Sequence, residues 1–136
     1  MNYIDTFIAV ADDTPTDKSV VPTERGGKKT VALIQYEMLV DDPYKYTQED
    51  VLFETHVRHK AIPPAELKSK GKKLREEFFA KEQPCLRTSP LARKYGFGFH
   101  FDPKGKVAMV PMESREYKEL SRGAAKVLKA LRSSRA

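Results

Sequence analysis

The sequence predicts an α+β protein in one domain, residues 1–136, in which a small antiparallel or mixed sheet carries three to four packed helices. A chain of 136 residues suits one ordinary domain, which can bury a core without disulfide or metal cross-links. Runs rich in β-branched and aromatic residues, typical of strands, occur near the N-terminus and again in the last third of the chain. Elsewhere, apolar residues recur every three to four positions, as in amphipathic helices.

The composition is typical of a soluble globular protein, with 40% hydrophobic and 32% charged residues. No apolar run approaches the roughly 18 residues that a membrane-spanning helix needs. The first five residues lack the basic and apolar regions of a secretory signal. Because Cys85 is the only cysteine, an internal disulfide is excluded. These features predict a cytoplasmic protein that does not enter a membrane.

Residues 3–11 are the first expected strand, because they are rich in β-branched and aromatic side chains and end at a turn cluster. Since this run is apolar on both faces, we expect the strand in the centre of the sheet. Residues 12–29 follow as a long loop. The sequence GGKKT at residues 26–30 hints at a phosphate-binding loop, but it lacks the earlier glycine and the Ser or Thr after Lys28 that a nucleotide triphosphatase needs. We expect only a flexible loop that weakly attracts anions.

The next two elements begin near threonine residues. The apolar stripe of residues 30–40 predicts a helix with one buried face, and a strand is the alternative. Thr47 resembles a helix N-cap, and the acidic residues after it suit the dipole of a first helical turn. Residues 51–58, however, alternate between apolar and polar side chains, which predicts a strand with one solvent-facing side.

Two basic helices are predicted in the second half. Pro63 and Pro64 indicate the start of a helix that runs to about Lys81, because proline is tolerated in a first turn. Ser114 can cap a second helix that continues to residue 131, with a kink or break at Gly123. A strand is the alternative for this last part, so residues 124–132 stay open between helix and strand. Residues 133–136 are expected to fray.

The most constrained stretch of the sequence is residues 84–110. Ser89 followed by Pro90 predicts an N-cap and a short helix over residues 90–95, which a glycine closes. The phenylalanines at positions 97, 99 and 101 then share one face of a strand, and the Asp-Pro-Lys-Gly turn after them predicts a hairpin over residues 97–112. Gly98 takes the opposite face, where it leaves room for a ligand or another backbone.

Arg87, Thr88, Ser89 and His100 are the candidate residues of an anion-binding site. The helix that begins after Ser89 directs N–H groups back toward Arg87 and Thr88 and carries a partial positive charge at that end. The guanidinium of Arg87 matches a carboxylate or a phosphate. The sequence therefore favours a binding module for a small anionic ligand. The alternative is that Arg87 pairs with an internal Asp or Glu and the cap serves only the helix.

The net charge of +6 is concentrated in the second half of the chain. Residues 1–60 contain 7 Lys and Arg against 11 Asp and Glu, a balance of −4, whereas residues 61–136 contain 18 against 8, a balance of +10. Such a surface attracts nucleic acid, or only keeps the protein soluble. Nucleic-acid binding is the alternative function, through Lys68, Lys72, Lys73, Arg75, Lys126 and Lys129.

Cys85 is the candidate catalytic residue for the least favoured function, a thiol-dependent enzyme. It would need His56, His59 or His100 as a base, with Arg87 to stabilise the thiolate. A lone cysteine is more often a small buried hydrophobic residue. We expect no metal site, because His56 and His59 would point to opposite faces of a strand, and we expect no cofactor. A structural subunit that dimerises is a further possibility, since the sequence leaves the oligomeric state open.

Several blocks of the sequence resemble a known family. They are NYIDTFI, KKTVALIQYEML, PYKYTQEDVLFE, CLRTSPLARKYGFGFHFD with KGKVA, ES-EY and KALRSSR, and they cover nearly the whole chain. The sequence is thereby similar to a family of small bacterial proteins of unknown function. The resemblance implies no activity, ligand or catalytic residue for this chain. It does imply a last segment that is more strand-like than the helix predicted above.

Overall fold

The computed structural model describes residues 2–133 and has the α+β architecture that the sequence predicts. The strands are β1 (Thr6–Ala9), β2 (Tyr46–Thr47), β3 (Phe97–Phe101), β4 (Lys106–Pro111) and β5 (Lys126–Lys129). The helices are α1 (Val31–Asp41), α2 (Gln48–His59), α3 (Pro64–Ala80), α4 (Pro90–Arg93) and α5 (Arg115–Gly123), with a 3-10 turn at Leu86–Thr88. These five helices exceed the three to four expected, because one predicted strand is a helix.

The five strands form one mixed sheet in the order β2-β4-β3-β1-β5. β1 pairs antiparallel with β3 and parallel with β5, so it lies inside the sheet, as predicted. It is shorter than expected, but all four of its residues are buried. Residues 12–29 contain no helix or strand beyond one isolated bridge between Arg25 and Lys28, which confirms the predicted loop.

The two faces of the sheet carry two separate cores. On the phenylalanine face, the phenylalanines of β3 pack with Ile8 against apolar residues of α1, α2 and α4. On the opposite face, Phe7 packs against Tyr117 of α5, with ring centroids 5.1 Å apart, and the Tyr117 hydroxyl accepts a hydrogen bond from the Val10 N–H at 2.9 Å. Among the described helices, α1, α2 and α4 therefore pack on the phenylalanine face and α5 on the other, while α3 packs against α2.

The strand predicted over residues 51–58 is wrong, because this segment is the helix α2. Its N-cap was recognised correctly: the Thr47 hydroxyl accepts from the Asp50 N–H at 3.2 Å, and the Asp50 carboxylate accepts from the Thr47 N–H at 3.0 Å. α2 is buried on two sides, with Val51 in the main core and Phe53 against Phe78 of α3 at 5.7 Å between centroids. Two apolar stripes on one helix produced the alternation that resembles a strand.

The predicted helix up to residue 131 is also wrong beyond Gly123, where the strand alternative holds. Ala124 is extended, with φ −66° and ψ 147°, and β5 follows it. The pairing with β1 is continued by a hydrogen bond from the Ala130 N–H to the Ala9 carbonyl at 2.9 Å. This partner lies about 120 residues away in the sequence, so helical spacing alone could not reveal it. Of the tail expected to fray, residues 134–136 lie outside the described residues, and the Ser133 N–H donates to Asp13 at 3.1 Å.

The central stretch has the predicted short helix and hairpin, although α4 ends at Arg93 and not at residue 95. The Ser89 hydroxyl caps α4, and Gly96 follows with a φ of 78°. In the hairpin, the Gly105 N–H donates to the Asp102 carbonyl at 2.9 Å, and the Asp102 carboxylate accepts from the Lys106 N–H at 2.8 Å. The turn after β3 is therefore held by both the backbone and the side chain of Asp102. Within residues 2–133, no helix is long and apolar enough to cross a membrane.

We expect opposite effects from alanine at two glycines. The space beside Gly98 is already filled: a Cβ there would lie 2.8 Å from the Ile8 carbonyl oxygen and 2.9 Å from the Phe7 ring. Because the backbone of β1 would have to move, Gly98→Ala should lower the free energy of unfolding by about 1–3 kcal/mol. Gly71→Ala, on α3 with no atom within 4 Å, should raise it by up to about 1 kcal/mol. Urea unfolding of both variants checks this, and equal effects would contradict it.

Candidate functional site

A cleft of about 300 Å³ opens between α2, the C-terminal part of α3 and the segment 83–90. Its apolar walls include Leu52, Phe78, Pro84 and Pro90. Three of the residues singled out in the sequence, the neighbours Cys85, Thr88 and Ser89, belong to its lining. The polar lining consists of Gln35, Thr55, His56, His59, Gln83, Cys85, Thr88 and Ser89.

The hydroxyl groups on this wall are engaged inside the protein. Thr88 Oγ1 donates to the Cys85 carbonyl at 2.7 Å, and Ser89 Oγ donates to Gln35 Oε1 at 2.5 Å. Ser89 Oγ also accepts from the Leu91 N–H at 3.3 Å. The backbone N–H groups of Thr88 and Ser89 close the 3-10 turn at 3.0 Å each. Few donors at this helix start are therefore left to face an anion.

Arg87 is directed away from the cleft, toward the outer edge of β5. Its Nε donates to the Lys129 carbonyl at 2.7 Å, and its own carbonyl accepts from the Leu131 N–H at 2.8 Å. Arg87 thus forms hydrogen bonds with backbone groups on the outer side of β5, where no described strand pairs with it. The sequence suggested an Asp or Glu as the internal partner of Arg87, whereas the partner is a backbone carbonyl.

His100 lies on the sheet face opposite the phenylalanines. Its Nδ1 is 2.8 Å from the Tyr44 hydroxyl, and the two rings meet edge to face at 5.7 Å. Ser89, by contrast, hydrogen-bonds to α1 on the phenylalanine face. The structure therefore does not bring His100 and Arg87 together with Thr88 and Ser89. It brings Thr88, Ser89 and Cys85 together with His56 and His59 instead.

His56 forms part of the wall that α2 and α3 share. Its imidazole stacks on Phe78 with centroids 4.7 Å apart and planes 37° apart. Burial first, and then the positive charges of Lys60 and His59, lower the pKa of His56 from its ordinary value of 6.5. The ring is therefore mostly neutral near pH 7 and can accept or donate a hydrogen bond.

Cys85 has a specific hydrogen-bond partner that the sequence did not indicate. The Tyr3 hydroxyl donates to Cys85 Sγ at 3.3 Å, and the Tyr3 ring packs on Phe101 with centroids 5.4 Å apart. Burial, the hydrogen bond to Cys85 and the charge of Cys85 raise the pKa of Tyr3 to about 12, against a smaller opposite effect of Arg87. Tyr3 therefore keeps its proton and remains a donor to the sulfur.

The residues proposed for nucleic-acid binding are in two places. On α3, Lys68, Lys72 and Lys73 are exposed, whereas Arg75 pairs with Asp50 at 3.1 Å and lies over the Phe53 and Phe79 rings. Lys126 and Lys129 are on β5 and not on a helix. Lys129 Nζ pairs with Asp12 at 2.5 Å. Binding of nucleic acid therefore stays a prediction, mainly for the three exposed lysines of α3.

No metal centre is formed by the residues that the structure describes. His56 and His59 are one turn apart on α2, so they share a side of the helix, which the strand interpretation did not allow. In residues 2–133, however, no group of three or more His, Cys, Asp or Glu side chains is placed to hold a metal ion.

Two residues of the cleft region were not predicted from the sequence: Gln35, which lines the cleft, and Tyr3, which donates to Cys85. Gln35 is a polar side chain within the apolar stripe of α1, and only 3% of it is exposed. A buried glutamine needs hydrogen-bond partners inside the protein. Its position in the apolar stripe was therefore a sequence signal that Gln35 bonds to another part of the chain. For Tyr3, 82 residues from Cys85 in the sequence, there was no local signal.

We expect His56 to titrate below its ordinary pKa of 6.5. A lowered pKa means that folding favours the neutral ring, so this contribution to stability is complete above the unfolded pKa and is lost as the pH falls through the folded one. Phe78→Leu should raise the pKa of His56, because it reduces the burial of the ring. NMR titration of the imidazole measures the pKa of His56 in the unsubstituted protein and in the Phe78→Leu variant. An ordinary or raised pKa in the unsubstituted protein would contradict the assignment.

Comparison with known proteins supports the family resemblance and adds no activity. The model of a family of unknown function, DUF6157, matches residues 1–136. No curated protein and no solved structure matches the chain. The match covers every element described above, from β1 to β5. The chain belongs to the DUF6157 family of unknown function.

Proposed function

We propose that the protein is a binding module for a small anionic molecule, which it holds in the cleft lined by Cys85, Thr88, Ser89, His56 and His59. The observation that carries the proposal is the cleft itself, a cavity of about 300 Å³ with both apolar walls and a group of polar side chains. Cavities of roughly 300–1,000 Å³ with few polar groups are typical of small-molecule sites.

The walls of the cleft suit a ligand with a planar apolar body. Leu52, Phe78 and the two prolines at positions 84 and 90 supply apolar surface. The Phe78 and His56 rings are in contact, with centroids 4.7 Å apart and planes tilted by 37°, so they offer an aromatic surface on which a ligand ring can pack. Gln35 lines the cleft, and its side-chain oxygen accepts the hydrogen bond from Ser89. Its NH₂ group is left as a donor for a ligand oxygen.

The charge near the histidines favours an anionic group at that end. Lys60 is a positive charge near enough to His56 to lower its pKa, in the same direction as burial. A ligand carboxylate at this end of the cleft would therefore be attracted. This arrangement replaces the one expected from the sequence, since Arg87 is held by the Lys129 carbonyl and the hydroxyl groups of Thr88 and Ser89 donate inward.

We expect benzoate to bind more tightly than benzamide, because the two have nearly the same shape and only benzoate is charged. Titration of each compound into uniformly ¹⁵N-labelled protein should perturb the amides of residues 55–59 and of the non-proline residues among 83–90. Lys60→Gln, which removes the positive charge near His56, should weaken benzoate and leave benzamide unchanged. Lys104→Gln, an exposed change of the same charge on the β3–β4 turn, is the matched control. Equal affinities for both compounds, or perturbation only outside these residues, would overturn the proposal.

A second candidate, thiol chemistry at Cys85, is favoured by the hydrogen bond from Tyr3. A hydroxyl that donates to sulfur interacts more strongly with a thiolate than with a thiol. Cys85 is half-buried and shares the cleft with His56, whose lowered pKa leaves it neutral and able to accept a proton. Cys85 would then be the nucleophile and His56 the base.

We expect Tyr3→Phe to slow the alkylation of Cys85 by iodoacetamide about five-fold, the effect of one hydrogen bond of about 1 kcal/mol. The phenylalanine keeps the packing on Phe101, so only the hydroxyl is lost. Mass spectrometry measures the rate near neutral pH, and Tyr95→Phe serves as a control for the loss of a hydroxyl elsewhere. An equal or faster rate in the Tyr3 variant would argue against this candidate.

A further inference from the structure

A second cavity, of about 570 Å³, lies between the turn at residues 25–28, the start of α1 and the end of α2. Four of its lining residues are basic or titratable to a cation: Lys28, Lys29, Arg58 and His59. Glu37 is the only acidic residue among the side chains that line it, and Ile34 contributes apolar surface. We call this cavity the basic pocket.

The lysines of the basic pocket are held by a tight turn. Arg25 and Lys28 exchange two backbone hydrogen bonds, of 2.8 and 3.1 Å, around Gly26 and Gly27. The two glycines have φ values of 60° and 75°, which side chains rarely adopt and which a two-residue hairpin turn requires. The GGKKT sequence is therefore a turn that sets Lys28 and Lys29 beside Thr30, the N-cap of α1.

The charges in the basic pocket are only partly neutralised. Lys29 pairs with Glu37 at 2.8 Å, and Arg58 Nε pairs with Glu54 at 3.0 Å. Among residues 2–133, no ion pair involves Lys28. The cations Lys28, Lys29 and Arg58 against the carboxylates Glu37 and Glu54 leave a balance of +1. Solvent-exposed pairs such as these contribute little and can rearrange around a ligand.

We infer that the basic pocket binds an oxyanion of the phosphate class. Arg58 can offer its outer guanidinium nitrogens to two phosphate oxygens, while Lys28 and Lys29 act as mobile point charges. The cavity is larger than a single phosphate requires, so it has room for a diphosphate or for a phosphorylated small molecule. His59 lines both cavities, but Lys28, Lys29 and Arg58 line only the basic pocket, so the inference does not depend on the cleft proposal.

Inorganic phosphate and pyrophosphate are the probes for this site. Each is titrated into the ¹⁵N-labelled protein at constant ionic strength, with chloride as the balancing anion, because diffuse attraction is screened by salt. We expect saturable shifts at the amides of residues 26–31 and 58–61, and tighter binding of pyrophosphate than of phosphate.

The assignment is tested by variants that remove a positive charge from the pocket and by one that removes a negative charge. Lys28→Gln and Arg58→Gln should each weaken pyrophosphate about ten-fold or more, since each removes a charge-assisted hydrogen bond. Glu37→Gln should strengthen it several-fold, because it removes a repelling carboxylate and releases Lys29. Lys104→Gln removes one positive charge at a residue that lines neither cavity and should have little effect.

Three results would overturn the inference: no saturable shift with either probe, an equal loss of affinity in Lys104→Gln and Lys28→Gln, or shifts confined to residues 83–90. The last would place the anion in the cleft instead. The benzoate titration reports separately on the cleft, so failure of one site is distinguishable from failure of the other.

Discussion

The position of the 3-10 turn at Leu86–Thr88 depends on one buried hydrogen bond, and the cleft depends on that turn. Gln48, the first residue of α2 and fully buried, accepts from the Leu86 N–H at 2.8 Å. Gln35 holds the next part of the same segment through the Ser89 hydroxyl. A buried N–H left without a partner costs about 1–3 kcal/mol, so these two glutamines define where segment 85–90 lies against α1 and α2.

This constraint changes the chemistry expected of the segment. Because the Ser89 hydroxyl donates to Gln35, it cannot also donate to an anion at the start of α4. Arg87, on the side of the turn that faces β5, completes the edge of the sheet through the Lys129 carbonyl. The polar groups that remain open to a ligand are on the opposite wall, where His56 and His59 stand on α2. The site that we propose is thus the cleft between these elements and not the start of α4.

The double burial of α2 links the cleft to the basic helix α3. One side of α2 enters the main core through Val51, and the other meets Phe78 through Phe53 and His56. Arg75 adds an ion pair to Asp50 and lies over the Phe53 ring at 5.6 Å. No residue of α3 is buried, so this aromatic contact and the ion pair are its main described attachments. The basic character of α3 is therefore partly structural.

Local signals in the sequence were sufficient for much of the fold, because a cap or a turn involves residues only a few positions apart. Ser89 and Ser114 each cap the helix that the sequence predicted after them, and Asp102 closes the predicted hairpin. Thr47 was also predicted as an N-cap, although the residues after it were predicted as a strand, and Thr30 caps the helix predicted over residues 30–40. Distant contacts decided two other elements. Residues 48–59 are a helix because their second apolar side packs on α3. Residues 126–129 are a strand because they pair with the edge of β1.

In the candidate site, too, some features follow from local sequence signals and others from distant contacts. The residue pattern was sufficient to predict a turn, a capped short helix and a hairpin within residues 84–110. It could not show that Arg87 and His100 face elsewhere, or that His56, His59, Gln35 and Tyr3 lie around Cys85, Thr88 and Ser89. The physical reason is that a side chain's direction follows from which buried polar group it must satisfy, and those partners lie tens of residues away.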